Sequence, residues 1–278
     1  MVKMTSKLMF GPVLTDLREE INIARMREER AARMKQVLKQ QGIPSVLVTG
    51  EPNVRYLVGF SWGEFMPFLS YALFFVEHDP VVFAHAGSCQ QMPDQLPWVK
   101  HWRTARSWLG GSCGPEAMRE EVGLWAQGIR KELQNRGLAG EKLGTICFDE
   151  VAREGLKGVG LTVVEAWPLL LEASKIKNQD EVNCFKMAAS ICSSGWQRVI
   201  EVCRVGITVG RLSRLVREAL QDAGSEMPSC NIYSGPFTFE RSVTYMERRI
   251  EYGDMIYVAL CGNRYLGYPS CLYRSFIV

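Results

Sequence analysis

Apolar residues recur at helical spacing across residues 21–41, and charged residues fill the positions between them. Six apolar side chains fall near one face, namely Ile23, Met26, Ala31, Met34, Val37 and Leu38. This pattern predicts an amphipathic helix that packs through one face. Gly42 ends the helix and Pro44 prevents it from resuming. The basic opposite face indicates either solvated Glu–Arg pairs or a phosphate-binding surface, and the charge pattern favours the pairs.

Short β-branched runs alternate with helical stretches in the first 165 residues. The predicted strands are 45–49, 71–76, 81–85, 144–148 and 161–165. Residues 51–53 are predicted to form a turn, and residues 54–60 a short helix or strand. Helices are predicted over 115–136 and near 151–156. The alternation predicts a mixed α/β layer of about 150 residues.

The pattern changes after Trp167-Pro168. Residues 178–204 predict one long helix, and a second helix runs from the N-cap Thr208 to about Ala223. Strands and turns are predicted over 229–278. Two helices followed by antiparallel strands are typical of an α+β domain.

Two local features have both functional and structural interpretations. Trp98, Trp102 and Trp108 predict either an aromatic platform for a ligand or ordinary packing under a sheet edge or subunit contact, and packing is favoured. The glycines at 155, 158 and 160 come near a phosphate-binding loop, but their spacing is not the dinucleotide fingerprint. The sequence also lacks the nucleotide, zinc-protease and serine-hydrolase motifs.

Composition bears on the partners and the cellular location of the protein. The chain has 278 residues and a net charge of +3, too small to indicate a nucleic-acid partner. Nine cysteines without C-x-x-C spacing indicate reduced thiols in the cytoplasm. Residues 1–12 lack a signal-peptide run, and the most apolar stretch, 65–76, is too short to span a bilayer. We therefore expect a cytoplasmic protein with no membrane partner.

Histidines are confined to the first part of the chain. The only three are His78, His85 and His101. A site built wholly from later residues would lack both the most common metal ligand among side chains and the most common general base.

Four segments carry a family resemblance through their order and spacing. The first is a basic helix followed by GIPSVLVT and EPNVRYLVGF, within 33–60, and the second is KIKNQDEV with MAA, within 175–189. The third is Val205-Gly206-Ile207-Thr208. The fourth comprises YGDMIYV and GYPSCLYRSF, within 252–276. Together they resemble the creatinase, aminopeptidase P and prolidase family.

The resemblance implies a fold and a chemistry. It implies an α/β creatinase-like N-terminal domain, residues 15–172, followed by a partial α+β pita-bread domain, residues 173–278. Members of that family typically hydrolyse a C–N bond with water activated by two divalent metal ions, held by two aspartates, one histidine and two glutamates. A small peptide or small-molecule substrate and a homodimer are also implied.

The expected metal ligands are missing from this sequence. Ala259 stands where the first aspartate is expected. Cys271 stands where the second is expected, with Ser270 as the alternative if the hairpin is shifted by one. The histidine and both glutamates would follow Val278. No catalytic residue is therefore assigned, and no metal or other cofactor is expected.

A thiolate metal site is the remaining metal option. It would use Cys261 and Cys271, but two ligands are too few for the usual zinc site, and sulfur suits hard ions poorly.

Three further features bear on a substrate pocket. Ser234-Gly235-Pro236 resembles the family's turn near the substrate, and the following stretch, 237–241, has no histidine where the family has a substrate-facing one. Arg274 is interpreted equally as a structural ion-pair partner or a substrate contact.

The sequence leaves three functions to compare. The favoured one is a truncated family hydrolase that is inactive as it stands. The alternative is a non-catalytic binding or dimerisation protein that works through its tryptophan-rich half. A metal-free enzyme of creatinase type is disfavoured because it needs a histidine in the second domain. Strands at 257–260 and 272–278 are expected to be exposed apolar edges that favour dimerisation.

Overall fold

The protein forms two compact units in a computed structural model. The structure describes residues 9–10, 14–61, 70–108, 110–240 and 244–278. The first unit is 24–176, and the second joins 177–278 to the described residues up to Ile23. Most of the N-terminal stretch 1–12, residues 65–69 of the apolar stretch and Arg241 lie outside the described residues.

The described chain begins with a short ribbon and then enters the first unit. Strand β1 (Met9–Phe10) pairs with β2 (Leu14–Thr15). The sheet strands of the first unit are β3 (Ser45–Thr49), β4 (Tyr71–Phe75), β5 (Val81–Ala84), β6 (His101–Thr104), β7 (Lys142–Ile146) and β8 (Thr162–Glu165). Its helices are α1 (Ile23–Gln40), α2 (Glu51–Val58), α3 (Ala86–Gln95), α4 (Gly110–Gln134), α5 (Glu150–Gly158) and α6 (Trp167–Ser174).

The sheet of the first unit has the order β6-β5-β4-β3-β7-β8. Strand β3 pairs antiparallel with β4 and parallel with β7, so the sheet is mixed. Successive residues of β3 point to opposite faces: Val46 and Val48 enter one apolar core, and Leu47 enters the other. Burial on both faces explains why its three central residues are all apolar.

Most of the predicted strands and helices of this unit are confirmed, with one correction. Residues 51–53 do not form a separate turn but open helix α2. Pro52 lies in the first helical turn, where its missing N–H removes no intrahelical bond. Strand β6 and helices α3 and α6 were not predicted from the pattern, and α6 begins at Trp167-Pro168, where the pattern was interpreted as a break.

The tryptophans pack and do not form a ligand platform. Trp108 is buried on one side of the sheet, with its ring centroid 4.5 Å from that of Trp125. Trp98 and Trp102 pack against the core on the other side. The Trp98 indole donates a 2.9 Å hydrogen bond to the Val58 carbonyl oxygen. The packing interpretation is confirmed because the three rings are divided between two faces.

One of the three glycines near residue 155 serves helix packing. Gly155 and Gly158 lie within α5, and Gly160 lies in the turn that follows. A Cβ on Gly155 would lie 2.4 Å from Cγ1 of Val122 in α4. This close approach of two helices accounts for Gly155 without a phosphate site.

In its described residues, the stretch 177–278 of the second unit forms two α-helices and three strands. The helices are α7 (Gln179–Val202) and α8 (Val209–Asp222), close to their predicted bounds. Thr208 caps α8 as predicted, since its side chain accepts a hydrogen bond from the Arg211 N–H. The strands are β9 (Asn231–Ser234), β10 (Met255–Tyr265) and β11 (Tyr268–Ile277), in the order β11-β10-β9.

The segment before α1 belongs to this second unit. The Leu17 N–H lies 3.2 Å from Sδ of Met187, and the Asn22 N–H donates a 2.9 Å hydrogen bond to Oδ1 of Asp180. The predicted domain 15–172 included this segment. The structure instead groups it with 177–278, because its backbone hydrogen-bonds to helix α7.

One of the two predicted apolar edges is wrong. Residues 257–260 lie in β10, the central strand, which pairs with β9 on one side and β11 on the other. Residues 272–277 lie in β11, which has the end position in this three-stranded order.

We predict that Gly155→Ala destabilises the first unit. The added methyl group cannot fit against Val122 without movement, so the free energy of unfolding should fall by about 1–3 kcal/mol. Gly128→Ala in α4 is the matched control, because its Cβ would meet nothing within 4 Å. Helix propensity should make that change neutral or stabilising by up to about 1 kcal/mol. Urea denaturation measures both, and equal effects would contradict the packing assignment.

Candidate functional site

The candidate site is the hairpin formed by β10 and β11. The two strands run antiparallel, with Val258 opposite Arg274 and Leu260 opposite Leu272. Ile256, Val258 and Leu260 are buried in the same apolar core as residues of α7 and α8. One face of the sheet therefore packs the hairpin against the helices, and the side chains of the other face do not contribute to this core.

The face of the sheet opposite the helices carries aromatic rings and thiols. We call it the tyrosine face and define it as Tyr233, Tyr257, Ala259, Cys261, Cys271 and Tyr273. The rings of Tyr257 and Tyr273 are stacked across the hairpin with centroids 6.2 Å apart. The ring of Tyr233 lies 5.9 Å from that of Tyr257. These tyrosines were not predicted to form a site, although the signal for a shared face is present: Tyr257 is two residues from Ala259, and Tyr273 is two residues from Cys271.

Both positions predicted to have lost an aspartate lie on the tyrosine face. Ala259 is opposite Tyr273, and Cys271 is opposite Cys261. The two sulfur atoms are 2.7 Å apart. The register shifts between Cys261 and Asn263, where Gly262 has a φ of 80°.

The alternative position, Ser270, does not join this pair. It lies beyond the register shift, opposite Asn263. The Cys192 thiol of α7 is buried and donates to the Leu260 carbonyl oxygen at 3.6 Å. Burial raises the pKa of Cys192 to about 11, and the Ser270 hydroxyl opposes this rise only in part, so that thiol stays protonated.

The two opposed thiols differ in acidity. The hydrogen bond with Cys271 raises the pKa of Cys261. Burial opposes ionisation of Cys271, but hydrogen bonds from Cys261, the Gly262 backbone and Tyr273 outweigh it and lower the pKa of that thiol. Hydrogen bonds to both sulfurs raise the pKa of the Tyr273 hydroxyl. Cys271 is therefore the thiol that ionises first.

The tyrosine face does not fit a pair of hard divalent ions. Strands β9, β10 and β11 contain no aspartate, glutamate or histidine in any register. Across the part of the chain that the structure describes, no group of three or more histidine, cysteine or acidic side chains could hold a metal ion. Two neutral or singly charged thiols cannot replace bridging carboxylates, because hard ions prefer oxygen ligands.

The Ser-Gly-Pro turn beside β9 is held by an ion pair. The Arg248 guanidinium donates to Oδ1 of Asp254 at 2.9 Å and to the Ser234 hydroxyl at 3.0 Å. Gly235 has a φ of 60°, and a Cβ there would lie 2.4 Å from Nη2 of Arg248. The conformation thus requires glycine, and the Ser234 hydroxyl already has a structural partner.

Of the remaining predicted residues, Phe237 lines a small pocket together with Ser234, and Arg274 is not among the residues that line it. Arg274 is exposed, and its guanidinium donates to the Tyr273 carbonyl oxygen at 2.7 Å. Among the described residues it forms no ion pair, so that interpretation has no support there. In the stretch 237–241, Phe237 packs on Tyr245 with ring centroids 4.3 Å apart, and Arg241 lies outside the described residues.

A surface groove of about 620 Å³ lies in the first unit between α4 and α5. Its charged lining residues include Glu150 and Glu154, which form ion pairs with Arg153 and Lys157. These carboxylates are therefore neutralised locally.

The fold is shared with solved peptidase structures. An Xaa-Pro dipeptidase from Bacillus anthracis superposes with a TM-score of 0.69 at 18% identity, covering 91% of this chain and 65% of its own. The X-Pro aminopeptidase of Thermotoga maritima gives 0.71 at 14% identity, with 89% and 65% covered. A prolidase from Thermococcus sibiricus gives 0.70 at 20% identity, with 91% and 65% covered. This chain has the fold of these peptidases.

The likeness confirms the fold expected from the sequence resemblance and is limited to the fold at these identities. The chain spans about 65% of the length of each of these structures, so it corresponds to part of that fold. No protein-family model matches the sequence, and no curated protein matches it. Within the described ranges, no helix has the length and apolar character needed to cross a membrane.

We predict that Asp254→Asn destabilises the second unit in a pH-dependent way. Arg248 lowers the pKa of Asp254, so the ion pair contributes stability above the ordinary carboxyl pKa of 3.8. That contribution is lost as pH falls through the lowered pKa of the folded protein. At pH 7 the free energy of unfolding should fall by roughly 3 kcal/mol, because both side chains are largely buried.

Urea denaturation at pH 7 and at pH 3 measures this effect, and the difference from wild type should shrink at the lower pH. Asp222→Asn, at an exposed position at the end of α8, is the control and should change stability by less than about 0.5 kcal/mol. A loss that does not depend on pH would contradict the ion-pair assignment.

Proposed function

We propose that this chain belongs to the creatinase, aminopeptidase P and prolidase family and does not perform two-metal hydrolysis. The observation that carries the proposal is the composition of the tyrosine face. Alanine and cysteine, at 259 and 271, stand where the resemblance expects aspartates. The shared fold supports descent from a C–N bond hydrolase.

The physical reason is the activation of water. Two divalent ions that share a hydroxide need bridging carboxylates, and the ions lower the pKa of the water they hold. The strands that should provide the first ligands supply only thiols, hydroxyls, amides and arginine. Nothing on these strands could hold a hydroxide at neutral pH.

The predicted ligand and the predicted cellular location of the protein remain part of this proposal. A small peptide or small-molecule ligand is supported by the names of the structural neighbours, which are Xaa-Pro dipeptidases and prolidases. A cytoplasmic location is supported by the eight cysteines that the structure describes, which are free thiols distributed over both units.

We predict that the purified, reduced protein does not cleave Xaa-Pro dipeptides in the presence of Mn²⁺ or Co²⁺. The expected rate of dipeptide hydrolysis equals that of a blank containing only the metal ions, because the tyrosine face has no carboxylate that could bind either ion. Calorimetric titration with the same ions, run beside an active prolidase, checks binding separately from turnover. Stoichiometric binding of two ions accompanied by turnover would overturn the proposal.

The second candidate function is self-association through β11. Ile277 is 68% exposed and lies opposite Met255, which is 49% exposed. This exposed apolar pair lies on the strand at the end of the sheet order. Strands in that position are templates for pairing with a second chain. The pair supports a homodimer. The proposed dimerisation surface is therefore β11 and not the tryptophans, which pack within the first unit.

We predict that Ile277→Lys weakens dimerisation at least about tenfold, since burial of one isoleucine stabilises by about 1.5–3 kcal/mol. Ile176→Lys is the matched control, because Ile176 is 69% exposed and belongs to the first unit rather than to the strand. Sedimentation equilibrium over a range of concentrations measures the dissociation constant. A wild-type protein that stays monomeric, or equal effects of both variants, would exclude this interface.

A further inference from the structure

The opposed thiols of Cys261 and Cys271 are not explained by the proposed function. They lie in direct cross-strand register, and their sulfur atoms are 2.7 Å apart. Cys271 is exposed and Cys261 is partly exposed, so a dissolved reagent can reach them. By contrast, the nearby thiols Cys192 and Cys230 are buried in the core beneath the sheet.

The backbone geometry suits a covalent bond between the two residues. Residues directly opposite in an antiparallel pair have Cα atoms about 4.5 or 5.5 Å apart, depending on the hydrogen-bonding pattern. Both separations lie within the range of about 4.4–6.8 Å found for disulfides. The strands therefore need no displacement, and rotation of the two side chains brings the sulfurs to bonding distance.

We propose that Cys261 and Cys271 are a modification site that forms a reversible cross-strand disulfide by exchange with a low-molecular-weight disulfide such as oxidised glutathione. The inference rests on the hairpin register and on thiol exposure, so it is independent of whether the chain hydrolyses peptides.

The exchange proceeds in two balanced steps. The Cys271 thiolate attacks one sulfur of oxidised glutathione, which forms a mixed disulfide and releases one glutathione thiolate. Cys261 then loses its proton and attacks the Cys271 sulfur, which closes the protein disulfide and releases the second glutathione. Two protein thiols are oxidised, one glutathione disulfide is reduced, and the two cysteine protons end on two glutathione molecules.

The order of attack follows from the local hydrogen bonds. Cys271 is the more acidic of the two thiols, because Cys261, the Gly262 backbone and Tyr273 all stabilise its thiolate. It is also the more exposed. Cys261 is held directly opposite and is positioned to resolve the mixed disulfide.

Oxidation should stiffen the hairpin. The bond would close a ring around the turn at Leu266 and Gly267, both of which have positive φ angles. A ring of this kind restricts the unfolded chain more than the folded one. The oxidised protein should therefore unfold at a higher urea concentration than the reduced protein.

Peptide mapping tests the proposal on the unmodified chain. Native protein is equilibrated with oxidised glutathione, remaining thiols are blocked, and trypsin digestion is performed without reductant. Cleavage after Arg249, Arg264 and Arg274 places the two cysteines on separate peptides, 250–264 and 265–274. We expect these two peptides to be joined, to be released by reductant, and to be the main cross-linked product.

Three variants make the result specific. Cys261→Ser should leave a glutathione adduct on Cys271, and Cys271→Ser should abolish rapid modification of residue 261. Cys147→Ser is the matched control, because that exposed cysteine contacts Asn53 rather than a thiol, and it should leave the cross-link unchanged. Glutathione adducts without the joined peptides in wild-type protein, or a cross-link from either residue to Cys192, would overturn the proposal.

Discussion

The register of β10 against β11 is the constraint on which the second unit depends. Because side chains alternate along a strand, this register places Val258 and Leu260 in the core while Ala259 and Cys261 face the other way. A slip by one residue would exchange the two sets and expose the core residues. The same register brings Cys261 opposite Cys271. Folding and the chemistry of the tyrosine face are therefore determined together.

In the proposed account, the fold is kept while the site changes. At 14–20% identity, the apolar pattern still builds the same architecture as the peptidase structures, since it needs only suitable residues at buried positions. A metal site has no such tolerance, because it depends on a few side chains of a given chemistry. On the tyrosine face those positions hold alanine and cysteine. Under the proposed function, the shared fold therefore does not carry hydrolysis with it.

The sequence predicted the elements whose pattern is set locally. Strand β3 was predicted from its apolar centre and its β-branched residues. Helices α7 and α8 were predicted because their apolar spacing and the Thr208 cap are both local. Helix α2 was only partly predicted, since Pro52 suggests a turn until its helical position is known. The place of residues 16–22 depends on backbone hydrogen bonds to α7, which no local pattern reports. For the same reason, the sequence did not reveal that β10 is central.

The candidate site was only half predictable. The substitutions at 259 and 271 are visible in the sequence, but the opposition of Cys261 and Cys271 depends on the register shift at Gly262. The most direct measurement is therefore the cross-strand nuclear Overhauser pattern of the reduced hairpin. We predict contacts of Cys261 with Cys271 and of Ala259 with Tyr273. Contacts of Leu260 with Cys271 and of Val258 with Tyr273, a register displaced by one residue, would contradict the thiol pairing and the division into two faces.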